Sequence, residues 1–106
     1  MRVFLTEHAE EILWQIYRYH ADYDETYAET FQTELTDYIF SALSQHPELG
    51  AVYNEAINLR RIVYTKRYNI YYVLRDDALY IIYILDGRML LNVELADPDA
   101  ELPTIS

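Results

Sequence analysis

Residues 59–88 read LRRIVYTKRYNIYYVLRDDALYIIYILDGR, and this stretch decides the fold. Within it, 59–64 (LRRIVY), 67–75 (RYNIYYVLR) and 79–85 (LYIIYIL) are dense in β-branched and tyrosine side chains, which suit a pleated, half-buried strand. Thr65-Lys66 and Asp76-Asp77-Ala78 punctuate them as tight turns, so the spacing predicts a three-strand antiparallel meander. Side chains alternate faces along a strand. Tyr68, Ile70, Tyr72 and Leu74 therefore share one face of the middle strand, and Arg67, Asn69, Tyr71, Val73 and Arg75 share the other. The first face is expected to meet whatever precedes the meander.

What precedes it is helical in pattern. Ala9, Ile12, Leu13, Ile16 and His20 recur at three- and four-residue spacing, the stripe of an amphipathic helix over 7–21. Thr6 is a suitable N-cap, and Glu7, Glu10 and Glu11 put negative charge where the helix dipole favours it. Asp22 with Glu25 has the form of a capping box, and Asp24 is an alternative cap. Ala28, Phe31, Leu35, Tyr38, Ile39, Ala42 and Leu43 make a second stripe over 23–45, ending near Pro47 and Gly50. So short a connection predicts an antiparallel helical hairpin. Residues 1–5 read as a short strand, with Trp14 packed against the sheet. Leu91 to Leu95 suits a further short strand, and the acidic stretch from Asp97, with two prolines, reads as a loose tail.

The chain has 106 residues, enough for one domain: 1–95 as the folded unit and 96–106 as an acidic tail. It has no cysteine, which excludes disulfides and thiolate chemistry and fits a reducing, cytoplasmic setting. The apolar run at the amino terminus is too short for a secretion signal, and Leu79–Leu85 is far short of a membrane span.

The net charge of −10 is segregated. Residues 1–56 hold two arginines against eleven acids, residues 57–90 six basic groups against three acids, and residues 91–106 four acids. These segments carry −9, +3 and −4. Nucleic-acid binders usually carry a basic excess, because phosphate neutralisation supplies much of their affinity. Here any such footprint is local, which argues against nucleic acid as the main partner. His8, His20 and His46 have no metal-ligand spacing and read as surface or edge residues, and no glycine-rich phosphate loop is present, so no metal or cofactor is expected. Arg61, Lys66, Arg67 and Arg75 read as solvated or ion-paired positions.

Thr6, Ala9, Leu13, Ile16, Tyr19, Ala28, Phe31, Leu35, Ile39, Leu43, Pro47 and Gly50 fall in the order and spacing of the RelE/ParE helical hairpin. Residues 59–88 resemble the strand signature of the same superfamily: a Leu-Arg opening, Tyr-x-Ile-x-Tyr, an Asp-Asp turn, an apolar strand and a closing Gly-Arg. The resemblance covers about residues 1–90 and implies an α+β fold of N-terminal strand, helical hairpin and three-strand meander. It also implies the toxin half of a type II toxin–antitoxin (plasmid stabilisation) module, neutralised by a cognate antitoxin. The ParE-like branch poisons DNA gyrase by protein contact, whereas the RelE-like branch cuts messenger RNA on the ribosome.

By position in the resemblance, Arg60 and Arg88 are the target-binding arginines. A ribonuclease would draw on Arg60, Lys66 and Arg88 with Tyr68 or Tyr72, since cleavage through the 2′-hydroxyl needs a base, an acid and cationic donors on the developing phosphorane. Asn69, Asp86 and Met89 stand where that branch often has arginine, histidine and a second arginine, and Asp86 would repel a phosphate. These departures favour the ParE-like reading, with an inactive binding scaffold as a third possibility. Like charges cost energy across an interface. The antitoxin segment is therefore expected either to bring lysine or arginine to Glu29 and Glu34 on the second helix, or to avoid the hairpin and lie along the strands.

Overall fold

A computed structural model describes residues 1–105. In chain order it contains β1 (Arg2–Leu5), α1 (Glu7–Ala21), α2 (Glu25–Gln45), β2 (Ala51–Asn54), a 3-10 turn (Glu55–Ile57), β3 (Leu59–Tyr64), β4 (Tyr68–Arg75), β5 (Ala78–Asp86) and α3 (Leu91–Glu94). The fold is α+β, with a five-strand mixed sheet in the order β1-β5-β4-β3-β2. Strands β2 to β5 are antiparallel neighbours, and β1 lies parallel to β5. None of the helices is long and apolar enough to cross a membrane.

Both hairpin helices start where a side chain can take an orphan N–H. Thr6 Oγ1 accepts from the Ala9 N–H at 3.2 Å and donates to the Ile81 carbonyl at 2.8 Å, which ties the start of α1 to the sheet. Asp24, rather than Asp22, caps α2 by accepting from the Tyr27 N–H at 3.1 Å, so that helix begins at Glu25 and not at Tyr23. Asp22 instead closes α1: its N–H donates to the Arg18 carbonyl at 3.1 Å, and the next N–H, of Tyr23, donates to the His20 carbonyl at 3.0 Å.

The expected face of β4 meets the hairpin. Tyr68, Ile70 and Tyr72 are buried in one core with Ala9, Leu13, Leu35, Ile39 and Leu43, and Leu74 packs at its edge. The opposite face is also buried. Leu59, Tyr71, Val73, Ile82 and Leu85 form a second core with Leu95. A bulge in β5 feeds both cores: Tyr71 pairs with Tyr83 and Tyr72 with Ile81, leaving Ile82 as the extra residue. A bulge interrupts strict alternation. Ile81 and Ile84 accordingly join the hairpin core, while Ile82 and Tyr83 both join the second.

Further expectations are corrected. The meander has a fourth antiparallel strand, β2, pairing with β3. Residues 91–95 form the short helix α3 and its cap instead of a strand, because Asn92 turns its side chain inward and donates to the Asp86 and Met89 carbonyls at 2.8 Å each. Trp14 does not pack on the sheet. It is 56% exposed and stacked on Tyr17, since the apolar stripe of α1 runs through Ala9, Leu13 and Ile16 instead. His20 is buried, enclosed by the rings of Tyr19, Tyr27 and Phe31.

The C-terminal stretch, expected as a loose tail, lays Leu102 and Ile105 on the second core. Asn54 Nδ2 donates to the carbonyls of Leu95 and Asp97, both at 2.8 Å, and Tyr53 Oη donates to the Asn92 carbonyl at 2.6 Å. Burial of apolar surface on the far side of the sheet, with these polar fasteners, holds the segment down.

Candidate functional site

The hairpin core opens to solvent where α1 passes the start of β4 and the end of β5. A cleft of about 280 Å³ lies there, floored by Ile12, Ile16, Tyr68 and Ile84 and rimmed by Gln15, Tyr19, Arg67, Asp86, Arg88 and Met89. Its position follows from register: Tyr68 pairs with Asp86, so the last residue of β5 stands beside the first of β4.

Asp86 organises the rim. One oxygen accepts from the Arg88 N–H at 3.0 Å and Arg88 Nε at 3.1 Å. The other accepts from Arg88 Nη2 at 3.1 Å and Arg67 Nε at 3.3 Å. The Arg88 side chain, then its backbone N–H, then Arg67 hold the Asp86 carboxyl well below the usual carboxylate range. The Arg67 guanidinium also sits over the Tyr68 ring, with its carbon 5.1 Å from the centroid, and 5.9 Å from that of Tyr19. Behind the floor, Tyr68 Oη lies 3.3 Å from His20 Nε2. Burial, with Arg67 adding to it, lowers the His20 pKa, and burial raises that of Tyr68. Near neutral pH both are uncharged.

Of the residues expected to form a site, the fold brings Arg88 and Tyr68 to the cleft and leaves the rest elsewhere. Arg60 pairs with Tyr72, four residues along β4 from Tyr68, or roughly 13 Å at the strand rise. There its Nη1 donates to the Gly50 carbonyl at 2.7 Å, and the Tyr72 hydroxyl donates to the Pro47 carbonyl at 2.8 Å. Both side chains fasten the chain that leads into β2. Lys66 is exposed in the β3–β4 turn, and Glu29 and Glu34 are exposed on α2. Arg67, read as solvated or ion-paired, is ion-paired with Asp86 and lines the cleft, and His20, read as a surface or edge residue, backs it. The one sequence signal for His20 was its place on the apolar stripe of α1; the signal for Arg67 was its place next to Tyr68, the residue that pairs with Asp86.

Asp86 offsets one of the two guanidiniums at the rim. The only imidazole near the cleft is buried, and Tyr72 and Arg60 are bonded elsewhere. Among the described residues no group of three histidine, cysteine, aspartate or glutamate side chains could hold a metal ion. No protein-family model and no curated protein matches the sequence.

Proposed function

We propose that this chain is the toxin subunit of a type II toxin–antitoxin module, with a RelE/ParE-like fold, and that it acts in the cytoplasm by protein contact in the manner of the ParE-like branch. The observation that carries the reading is the helical hairpin seated on one face of an antiparallel β2–β5 meander, with the Gly87-Arg88 pair following β5 at a cleft of the hairpin core. An N-terminal strand, a helical hairpin and then antiparallel strands is the order the resemblance implies, although β2 is a strand it did not include. DNA gyrase is the proposed target and a cognate antitoxin the proposed neutralising partner. Arg88, exposed at the cleft rim and ion-paired with Asp86, is the target-facing arginine; Arg60 supports the scaffold.

The grouping of Arg67, Tyr68 and Arg88 is what favours the ribonuclease alternative. Against it stands Asp86, ionised between the two arginines where a phosphate would have to sit. Controlled expression in a bacterial host without a neutralising partner tests the toxin reading. Growth arrest is expected, and unimpeded growth of cells that accumulate the folded chain overturns it.

A further inference from the structure

We infer that the cleft between α1 and the β4–β5 ends docks a protein segment carrying one bulky apolar side chain with a carboxylate beside it, the apolar group seated on Ile16 and Ile84 and the carboxylate on Arg88. The inference rests on the cleft alone and stands apart from the toxin reading.

Size sets the first limit. Pockets that enclose cofactors or metabolites run from roughly 300 to 1,000 Å³. At about 280 Å³, with a floor of isoleucines and the Tyr68 ring, this cleft suits a single anchoring side chain of the kind that dominates interface energetics. Part of its rim offers exposed apolar surface: Tyr19 and Met89 border it, and Leu90, the next residue, is 70% exposed.

Charge sets the second. The charged residues lining the cleft are Arg67, Arg88 and Asp86, which leave one positive charge in surplus. Arg88 is the outer of the two cations, its side chain 84% exposed, and its Nη1 donors have no partner among the described residues. A planar guanidinium with a free edge is suited to a carboxylate. The far end of the cleft differs: beyond Gln15 and Tyr19 the surface turns to Arg18, Asp22 and Glu25, one cation against two acids, so its net charge is negative. A docked carboxylate therefore belongs at the Arg88 end, which fixes the direction of the segment. Nucleic acid fits poorly, because a polyanion needs several cations in a row and meets a chain of net charge −10.

The test titrates the full chain with N-acetyltryptophan and, in parallel, with its neutral amide, following amide and methyl resonances by NMR. Shifts are expected at Ile16, Ile84 and Met89, with the acid binding about fivefold more tightly than the amide, the worth of one good exposed ion pair. Arg88→Gln is expected to erase that difference, while Met89→Asp, at an exposed position, weakens binding of both probes. Equal affinities for acid and amide overturn the inference. So do shifts centred elsewhere, no binding up to the solubility of the probes, or a self-associated chain whose cleft is already filled by a second copy.

Discussion

The Tyr72 hydroxyl accepts the Gly50 N–H at 2.8 Å, so a residue in the middle of β4 fixes the point where the chain leaves α2 for β2. The approach is close enough that a Cβ at position 50 would lie 2.9 Å from the Arg61 carbonyl oxygen and from the Tyr72 ring and hydroxyl. Neither neighbour can move freely, one being backbone and the other hydrogen-bonded at both ends of its polar reach. Gly50→Ala should therefore cost about 1–3 kcal/mol through overpacking. Tyr72→Phe should cost about 1–3 kcal/mol by leaving a buried N–H unpaired. The double variant should cost less than the sum, since removing the hydroxyl relieves part of the clash. Urea unfolding of the three variants checks this, and strict additivity would count against the close approach.

The β3–β4 turn carries strain that a substitution can release. Thr65 and Lys66 both hold positive φ, 54° and 61°, the conformation of a two-residue turn that favours Asn-Gly. A β-branched residue is costly there. Thr65→Asn with Lys66→Gly should raise stability by about 1 kcal/mol. A thermal unfolding midpoint that falls would contradict the turn assignment.

Two titrations should separate in a pH–stability curve. The His20 pKa is depressed by burial and by Arg67, so an unfolded chain takes up a proton that the folded one resists. Its contribution is complete above the unfolded value of about 6.5 and is lost as the pH falls below it. The Asp86 carboxyl is depressed by Arg88 and Arg67, so its contribution is complete above about 3.9 and is lost as the pH falls further. His20→Gln should flatten the upper segment and leave the lower one; Asp86→Asn should do the reverse. A curve that stays level between pH 7 and 5 in the parent chain would show that His20 is not held neutral.

Asn92 is the polar centre of the second core. Its Oδ1 accepts from Asn69 Nδ2 at 2.9 Å and from the Tyr71 hydroxyl at 2.8 Å, while its Nδ2 donates to two carbonyls. Burial and Tyr53 push the Tyr71 phenol up to about 12, so it stays a donor across the ordinary pH range. Asn92→Ala should cost about 3 kcal/mol, because buried polar partners are left unpaired. It should also raise amide exchange at Leu95 before exchange in β4, as the C-terminal segment loosens first. Simultaneous exchange in both would mean that the segment and the sheet open as one unit.

What could be read in the sequence was what repeats. The stripe through Ala9, Leu13 and Ile16 and the alternation of Tyr68, Ile70 and Tyr72 are periodic over many residues, and the helix at 7–21 and the strand at 59–64 came out with their full bounds. β2 is four residues long, too short for a periodic pattern, and its AVYN lacks the apolar run that marks the equally short RVFL of β1. The second core escaped because Tyr71 and Val73 share their face with Asn69, Arg67 and Arg75, which made it look solvated. The partners that bury it, Leu95, Leu102 and Ile105, lie in an acidic, proline-bearing stretch with no pattern of its own. At the site, Arg60 and Arg88 look equivalent along the chain, each at a strand end. Only the register puts one beside Gly50 and the other beside Asp86.

Contact rather than RNA cleavage is the central claim, and it is tested by inducing the chain without a partner while mapping transcript ends and plasmid supercoiling in the same cells. The account predicts growth arrest with altered supercoiling, an SOS-type response and intact messages. Cuts at codon positions within translated messages would contradict it.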